Sequence, residues 1–209
     1  LKETMAAAMV SLSRYRGRED FCDPFCGSGT IPIEAALIAK NRAPGLKRDF
    51  SAMRWRSLDK SVWQLEREEA VSREFNGNYN IIGTDIDPTA LDIARENAAR
   101  AGVSDIVRFE KADATKFDRV TENGIIVTNP PYGERIMEKQ EAEELYRDFG
   151  RATEGLPSGW RINLLSSHTE FERTFGRKAD KKRKLYNGMI KCDLFQYDVK
   201  RGKKGRISG

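Results

Sequence analysis

The sequence predicts a doubly wound α/β fold of seven strands. Short apolar runs alternate with segments whose apolar residues recur at helical spacing. The first run, Phe21-Cys22, passes through a glycine loop, Asp23-Pro24-Phe25-Cys26-Gly27-Ser28-Gly29-Thr30, into a helical pattern. That strand, loop and helix form the opening unit of a nucleotide-type fold. The chain closes on two strand-like runs flanking Asn187-Gly188, a tight-turn pair that marks a hairpin. With 209 residues, 39% of them hydrophobic, it can build one sizeable core.

The elements follow in order. Residues 2 to 15 read as a helix with Met5, Ala8, Met9 and Leu12 on one face. Residues 31 to 41 form a second helix, with Pro32 in its first turn, where proline is tolerated. Residues 42 to 79 are an irregular insertion. Phe50, Met53, Trp55 and Trp63 interleave there with Lys47, Arg48, Arg54 and Arg56. Aromatics and arginines together can bind nucleic acid, but Phe50 and Trp55 are read as anchors of the insertion to the core. Residues 62 to 74 suggest a helix with a wet, charged face. A second strand at 80 to 84 leads to Asp85-Ile86-Asp87-Pro88, where Asp87 suits a helix cap. The next helix, 89 to 100, ends at Gly102. Strands at 106 to 110, 124 to 128 and 161 to 167 follow, with helices at 141 to 154 (Leu145, Phe149 and Ala152 inward) and 170 to 175. The hairpin runs from Lys184 to Val199, and Lys182 and Lys184 project from one face of its first strand.

Two places carry chemistry. Asn129-Pro130-Pro131-Tyr132 follows the apolar run Gly124 to Thr128. The Asn129 side-chain oxygen and the Pro130 carbonyl are acceptors that can hold a planar amino group by its two protons. Pro131 stiffens the loop, and Tyr132 offers a flat face for a planar substrate. Alone, these four residues fit a strand-ending turn equally well. The second place is the glycine loop. Asp23 before it repels a pyrophosphate and suits a cationic or amino-bearing ligand, such as S-adenosylmethionine. A dinucleotide site needs an acid ending the second strand about 20 residues after the glycines. Asp49 falls there, but no strand precedes it. Asp85, ending the true second strand, suits ribose hydroxyls. Asp113 could accept from an adenine amino group, and a loop aspartate fits it as well.

In this order the four boxes, Asp23 to Thr30, Gly83 to Pro88, Ala112-Asp113 and Asn129 to Gly133, resemble a class I S-adenosylmethionine-dependent methyltransferase of the amino-methylating kind. More narrowly the chain is similar to the RNA guanine-N2 methyltransferases that carry an N-terminal THUMP domain. The stretch Ile33 to Gly45, with Phe50 and Trp55, resembles the branch acting on large-subunit ribosomal RNA. The similarity covers residues 1 to 200. It implies a Rossmann-like, mostly parallel seven-stranded sheet whose last strand lies antiparallel between its neighbours. It implies cofactor contacts from Asp23, Phe25, Gly27, Ser28, Gly29, Thr30, Asp85, Ile86, Asp113, Ala114 and Asn129. Asn129, Pro130 and Tyr132 would be catalytic; Pro131, Tyr132, Lys182 and Lys184 would meet the substrate. DNA adenine-N6, protein glutamine-N5 and tRNA guanine-N2 methylation are the alternatives. A non-catalytic RNA-binding module on a degenerate cofactor fold is a further rival, against which every polar motif position is intact.

Charge points the same way. The net charge is +5. Residues 177 to 209 hold 12 Lys/Arg and three Asp, a net of +9, which leaves −4 for the rest. Such a segment is an electrostatic footprint for a phosphate backbone, and residues 201 to 209 read as a basic, flexible tail. No run approaches a membrane span and no signal peptide is visible. Three cysteines, Cys22, Cys26 and Cys192, suit a reducing compartment and a cytoplasmic location. With one histidine, His168, they read as core packing and not as a metal site. His168 reads as a loop or helix-start residue. Because the chain starts at Leu1, it is expected to be a domain cut from a longer protein. The resemblance implies that the full-length chain carries a THUMP domain, and a monomer is expected.

Overall fold

The computed structural model describes residues 1–119, 121–132 and 136–199, with 136–138 as backbone only. Seven strands form one sheet: β1 (Asp20–Asp23), β2 (Ile81–Asp85), β3 (Val107–Lys111), β4 (Asn123–Thr128), β5 (Gly159–Ser166), β6 (Lys181–Asn187) and β7 (Ile190–Asp198). Their order is β3-β2-β1-β4-β5-β7-β6. Strands β1 to β5 are parallel, and β7 runs antiparallel to both β5 and β6. The seven strands and the antiparallel last strand agree with the sequence expectation.

The chain winds outward from β1 to β3 and then lays β4 on the other side of β1. That reversal opens a crevice at the carboxyl ends of β1 and β4, the place where open α/β sheets take ligands. Strand β4 is buried on both faces. Ile125 and Val127 join one core cluster and Ile126 the other, hence the continuous apolar run. Helices α1 (Glu3–Leu12), α2 (Thr30–Lys40) and α4 (Pro88–Ala101) supply the first cluster, and α5 (Ile136–Ala152) and α6 (Phe171–Phe175) the second. The second is aromatic: Tyr146, Phe149, Trp160, Phe171, Phe175 and Phe195 are all buried.

Local signals account for the helix ends. Asp87 caps α4 by accepting from the Thr89 N–H at 2.9 Å, and Gly102 closes it at φ 73°. Helix α5 starts at Ile136, five residues before the sequence reading, because the Pro-Pro-Tyr-Gly turn signal masks its first turns. Its inward residues are Ala142, Tyr146 and Phe149, while Leu145 is half-buried.

The insertion departs from expectation. Trp55 is 62% exposed, and Phe50 stacks on Trp63 with ring centroids 5.8 Å apart instead of entering the core. Helix α3 (Lys60–Ser72) buries no residue. The insertion packs on itself and is tied down at its ends. Arg42 Nη1 pairs with Glu74 Oε1 at 2.6 Å, and the Phe75 N–H donates to the Lys40 carbonyl at 2.7 Å. Gly133, Lys200 and the basic tail at 201 to 209 lie outside the described residues.

Candidate active site at the carboxyl edge of the sheet

Parallel strands bring four sequence boxes to one edge. Asp23 ends β1, Asp85 ends β2, Asp113 follows β3 and Asn129 follows β4. The loop after β1 turns through Gly27 (φ 51°) and Gly29 (φ 81°) into α2. A side chain on Gly29 would meet the Phe109 ring at 2.8 Å and Ala94 at 2.9 Å, so glycine is required by contact as well as by φ. Around Gly27 the space is open.

Asp85 holds this loop. Its Oδ2 accepts from the Gly27 N–H at 2.8 Å and its Oδ1 from the Asp87 N–H at 3.0 Å. An ionised carboxylate has about four acceptor positions, so two stay available for ligand hydroxyls. Asp23 is fully buried. Its Oδ1 accepts from Thr128 Oγ1 at 2.5 Å and from the Phe25 N–H at 3.2 Å, and its Oδ2 has no partner among the described residues. Burial pushes its carboxyl up to about 7 against these two bonds, and Asp85 adds to the rise. A cation brought to the crevice would favour its charged form. Asp113 Oδ1 accepts from the Thr115 N–H at 2.9 Å and Oγ1 at 2.7 Å, which hold its carboxyl below the usual range. Ala114 is buried beside it, whereas Ile86 is exposed. Ser28 is exposed, Phe25 and Thr30 half-buried. An orphaned buried oxygen, spare carboxylate acceptors and an open glycine turn fit a ligand carrying both positive charge and hydroxyls.

Asn129 is half-buried, Pro130 buried and Pro131 exposed. Tyr132 is half-buried and packs against the first core cluster. Its hydroxyl donates to Asn129 Oδ1 and lies 4.0 Å from Cys192 Sγ, with the Asn187 side chain nearby. Burial first, then Cys192, raise the phenol above its ordinary range. An amino group bound at Asn129 Oδ1 therefore displaces this hydroxyl or shares the oxygen with it. Sequence reading missed Tyr146 on α5, whose Oη donates to the Pro131 carbonyl at 2.6 Å and pins the loop. An aromatic residue at helical spacing from Phe149 was the available signal.

Lys182 and Lys184 stand apart from this group. They lie on the face of β6 opposite Leu185, the residue that packs with Tyr132 in the first cluster. Lys182 Nζ pairs with Glu172 Oε2 at 2.8 Å. His168 is buried; its Nε2 lies 2.8 Å from Glu143 Oε1, and its ring stands edge-on to Tyr146 with centroids 6.0 Å apart. Cys22, Cys26 and Cys192 are buried free thiols, and burial pushes Cys22 up to about 12. No helix among the described residues is long and apolar enough to cross a membrane.

Comparison with known proteins fits this geometry. The protein named "Putative RNA methyltransferase YpsC" from Bacillus subtilis (strain 168) is 46% identical over 201 residues, 94% of this chain and 51% of its own length. "Ribosomal RNA large subunit methyltransferase K/L" from Shewanella baltica (strain OS185) is 40% identical over 205 residues, 95% of this chain and 29% of its own. The chain thus spans about half or less of these relatives. Among solved structures, SMU.472, "a putative methyltransferase complexed with SAH", superposes with a TM-score of 0.91 at 41% identity. It matches 97% of this chain and 54% of that one. The UPF0020, RMKL-like methyltransferase domain model matches residues 1–196. The glycine loop, the acids ending β1 and β2 and the Asn-Pro-Pro-Tyr box all lie within that match, and the chain belongs to the RMKL-like methyltransferase domain family.

Proposed function

We propose that this domain transfers a methyl group from S-adenosylmethionine to the exocyclic N2 of a guanine in large-subunit ribosomal RNA. The observation that carries the reading is Asn129-Pro130 at the end of β4, directly across the topological switch from the glycine loop and Asp23. The cofactor supplies an electrophilic methyl carbon on a sulfonium. Asp23, Gly27 and Asp85 would hold it, and Asp113 would accept from its adenine amino group. Asn129 Oδ1 and the Pro130 carbonyl accept the two N–H protons of the guanine amino group. Their pull favours a pyramidal nitrogen, frees its lone pair from the ring and stabilises the charge it gains. Tyr132 stacks on the extruded base. As the N–C bond forms, the S–CH3 bond would break and its electron pair return to sulfur, leaving the neutral thioether S-adenosylhomocysteine. The methylated nitrogen, now cationic and acidic, would release a proton to water, so a dedicated base is not needed.

The RNA reading is supported by the names of the two relatives and by the charge on residues 177 to 209. Lys184 and the basic tail would grip the backbone without reading sequence. Affinity should fall steeply with salt, and removing residues 201 to 209 should flatten that slope while cofactor binding persists. An N-terminal THUMP domain in the full-length protein would supply part of the target choice, acting within a monomer in the cytoplasm. Mass spectrometry of nucleosides from ribosomal and transfer RNA of a strain lacking the gene tests the reading. Loss of N2-methylguanosine at one 23S position is expected. Unchanged ribosomal RNA with a missing transfer-RNA guanine modification would move the substrate, and unchanged RNA throughout would end the proposal.

A further inference from the structure

The β6–β7 turn projects as an arm beyond the carboxyl edge of the sheet, the edge that carries the crevice. Strands β5 and β6 both run antiparallel to β7, so β6 ends on the same sheet edge as β4 and β5. Asp193 pairs with Ser166, the last residue of β5. Beyond it Cys192, Lys191 and Ile190 continue with β6 as their sole partner strand. Three residues at ~3.4 Å each carry the turn about 10 Å past the end of β5. The base of the arm meets the catalytic loop, since Cys192 Sγ lies 4.0 Å from Tyr132 Oη and Leu185 packs against the same core cluster as Tyr132.

Its tip is apolar and bare. Met189 is 99% exposed, whereas the next large apolar side chain, Ile86, stands at 67%. Tyr186 is 60% and Ile190 43% exposed beside it. Scattered surface methionines are ordinary, but this one crowns a protrusion on the edge that carries the reaction crevice. Lys191 lies two residues from it, opposite Tyr186, whereas Lys184 sits further back on β6, opposite Asp193. An apolar tip with a lysine two residues away matches a stacked, phosphate-bearing strand.

We propose that this arm is an RNA-opening element, with Met189 as the wedge that fills the stack when the target guanine leaves its helix. The inference rests on the RNA methylation reading above. A guanine amino group inside a helix cannot reach Asn129 at the floor of the crevice, so the nucleotide must swing out. Proteins that unstack nucleic acid insert side chains of this kind, methionine included. Tyr132 would take the extruded base while Met189 takes its place.

The test uses the full-length protein with Met189→Ala and Met189→Leu. The substrate is a transcribed 23S fragment carrying the mapped guanine, either paired or opposite an abasic site. Met189→Ala should lower kcat/KM at least tenfold on the paired fragment and less than twofold on the abasic one. Met189→Leu should stay within threefold of wild type on both, and all three proteins should melt and bind cofactor alike. Equal loss on both fragments, no loss on the paired one, or a mapped guanine already unpaired in free RNA would overturn the wedge. A wild-type protein that methylates no RNA would remove the underlying reading, and the wedge with it.

Discussion

Thr128 Oγ1 donates a 2.5 Å hydrogen bond to Asp23 Oδ1 across the seam between β1 and β4. One residue precedes the glycine loop and the other precedes Asn129, so the bond ties the cofactor side of the crevice to the acceptor side. Thr128→Val keeps the branched shape and removes the donor. Asp23 is then left with the Phe25 N–H alone. A loss of about 1–3 kcal/mol in urea denaturation is expected, the cost of unsatisfying a buried acceptor. Unchanged stability would mean that water satisfies Asp23.

Asp85 has two tasks, since the oxygens proposed for the ribose also fix the Gly27 and Asp87 N–H groups. Asp85→Ala should weaken S-adenosylmethionine binding by about 1–3 kcal/mol, read by calorimetry. Because the glycine loop loses its anchor, faster backbone exchange over residues 25 to 29 should accompany the loss. Full affinity would put the ribose contact elsewhere, with Asp87 the first residue to test.

Asn129→Ala should lower single-turnover methylation on the order of 10²–10³-fold while cofactor affinity stays near wild type, by analogy with removing one charge-stabilising group. Tyr132 separates two effects. Tyr132→Phe removes the hydroxyl that occupies Asn129 Oδ1 and keeps the ring, so its effect should be mild. Tyr132→Ala removes the stacking face and should be severe. Equal damage from both would make the hydroxyl the functional group.

Much of this site was legible because its residues are local. Asp23 to Thr30 and Asn129 to Tyr132 are contiguous boxes at strand ends, and a parallel sheet sends every strand end to one edge. Asp87 as a cap and Gly102 as a terminator are also decided within one turn of helix. What escaped depends on distant pairing. Tyr146 reaches the Pro131 carbonyl only because α5 packs back under the loop. Trp55 and Phe50 read as core anchors because aromatic residues usually are, yet the insertion has no sheet face to cover and stacks Phe50 on its own Trp63. That Lys182 and Lys184 face away from Tyr132 follows from the register of β6 against β7, which no spacing within β6 reveals.

Glu34 on α2 makes the last prediction. It is 9% exposed and has no hydrogen-bond or ion-pair partner among the described residues. Burial, with a smaller push from Glu3, raises its carboxyl from 4.5 to about 7. Between those values the native protein holds a proton that the unfolded chain has released. Raising pH through that window therefore costs native stability, by at most ~3 kcal/mol at about 1.4 kcal/mol per unit. Asp23 is shifted the same way, but it is common to both proteins and cancels in a comparison. Glu34→Gln keeps the shape and removes the charge. Its melting temperature should match wild type near pH 4.5 and exceed it increasingly from pH 5 to pH 8, by several degrees at the top. A difference between the two proteins that stays constant across this range would mean that the folded chain does not raise the Glu34 pKa.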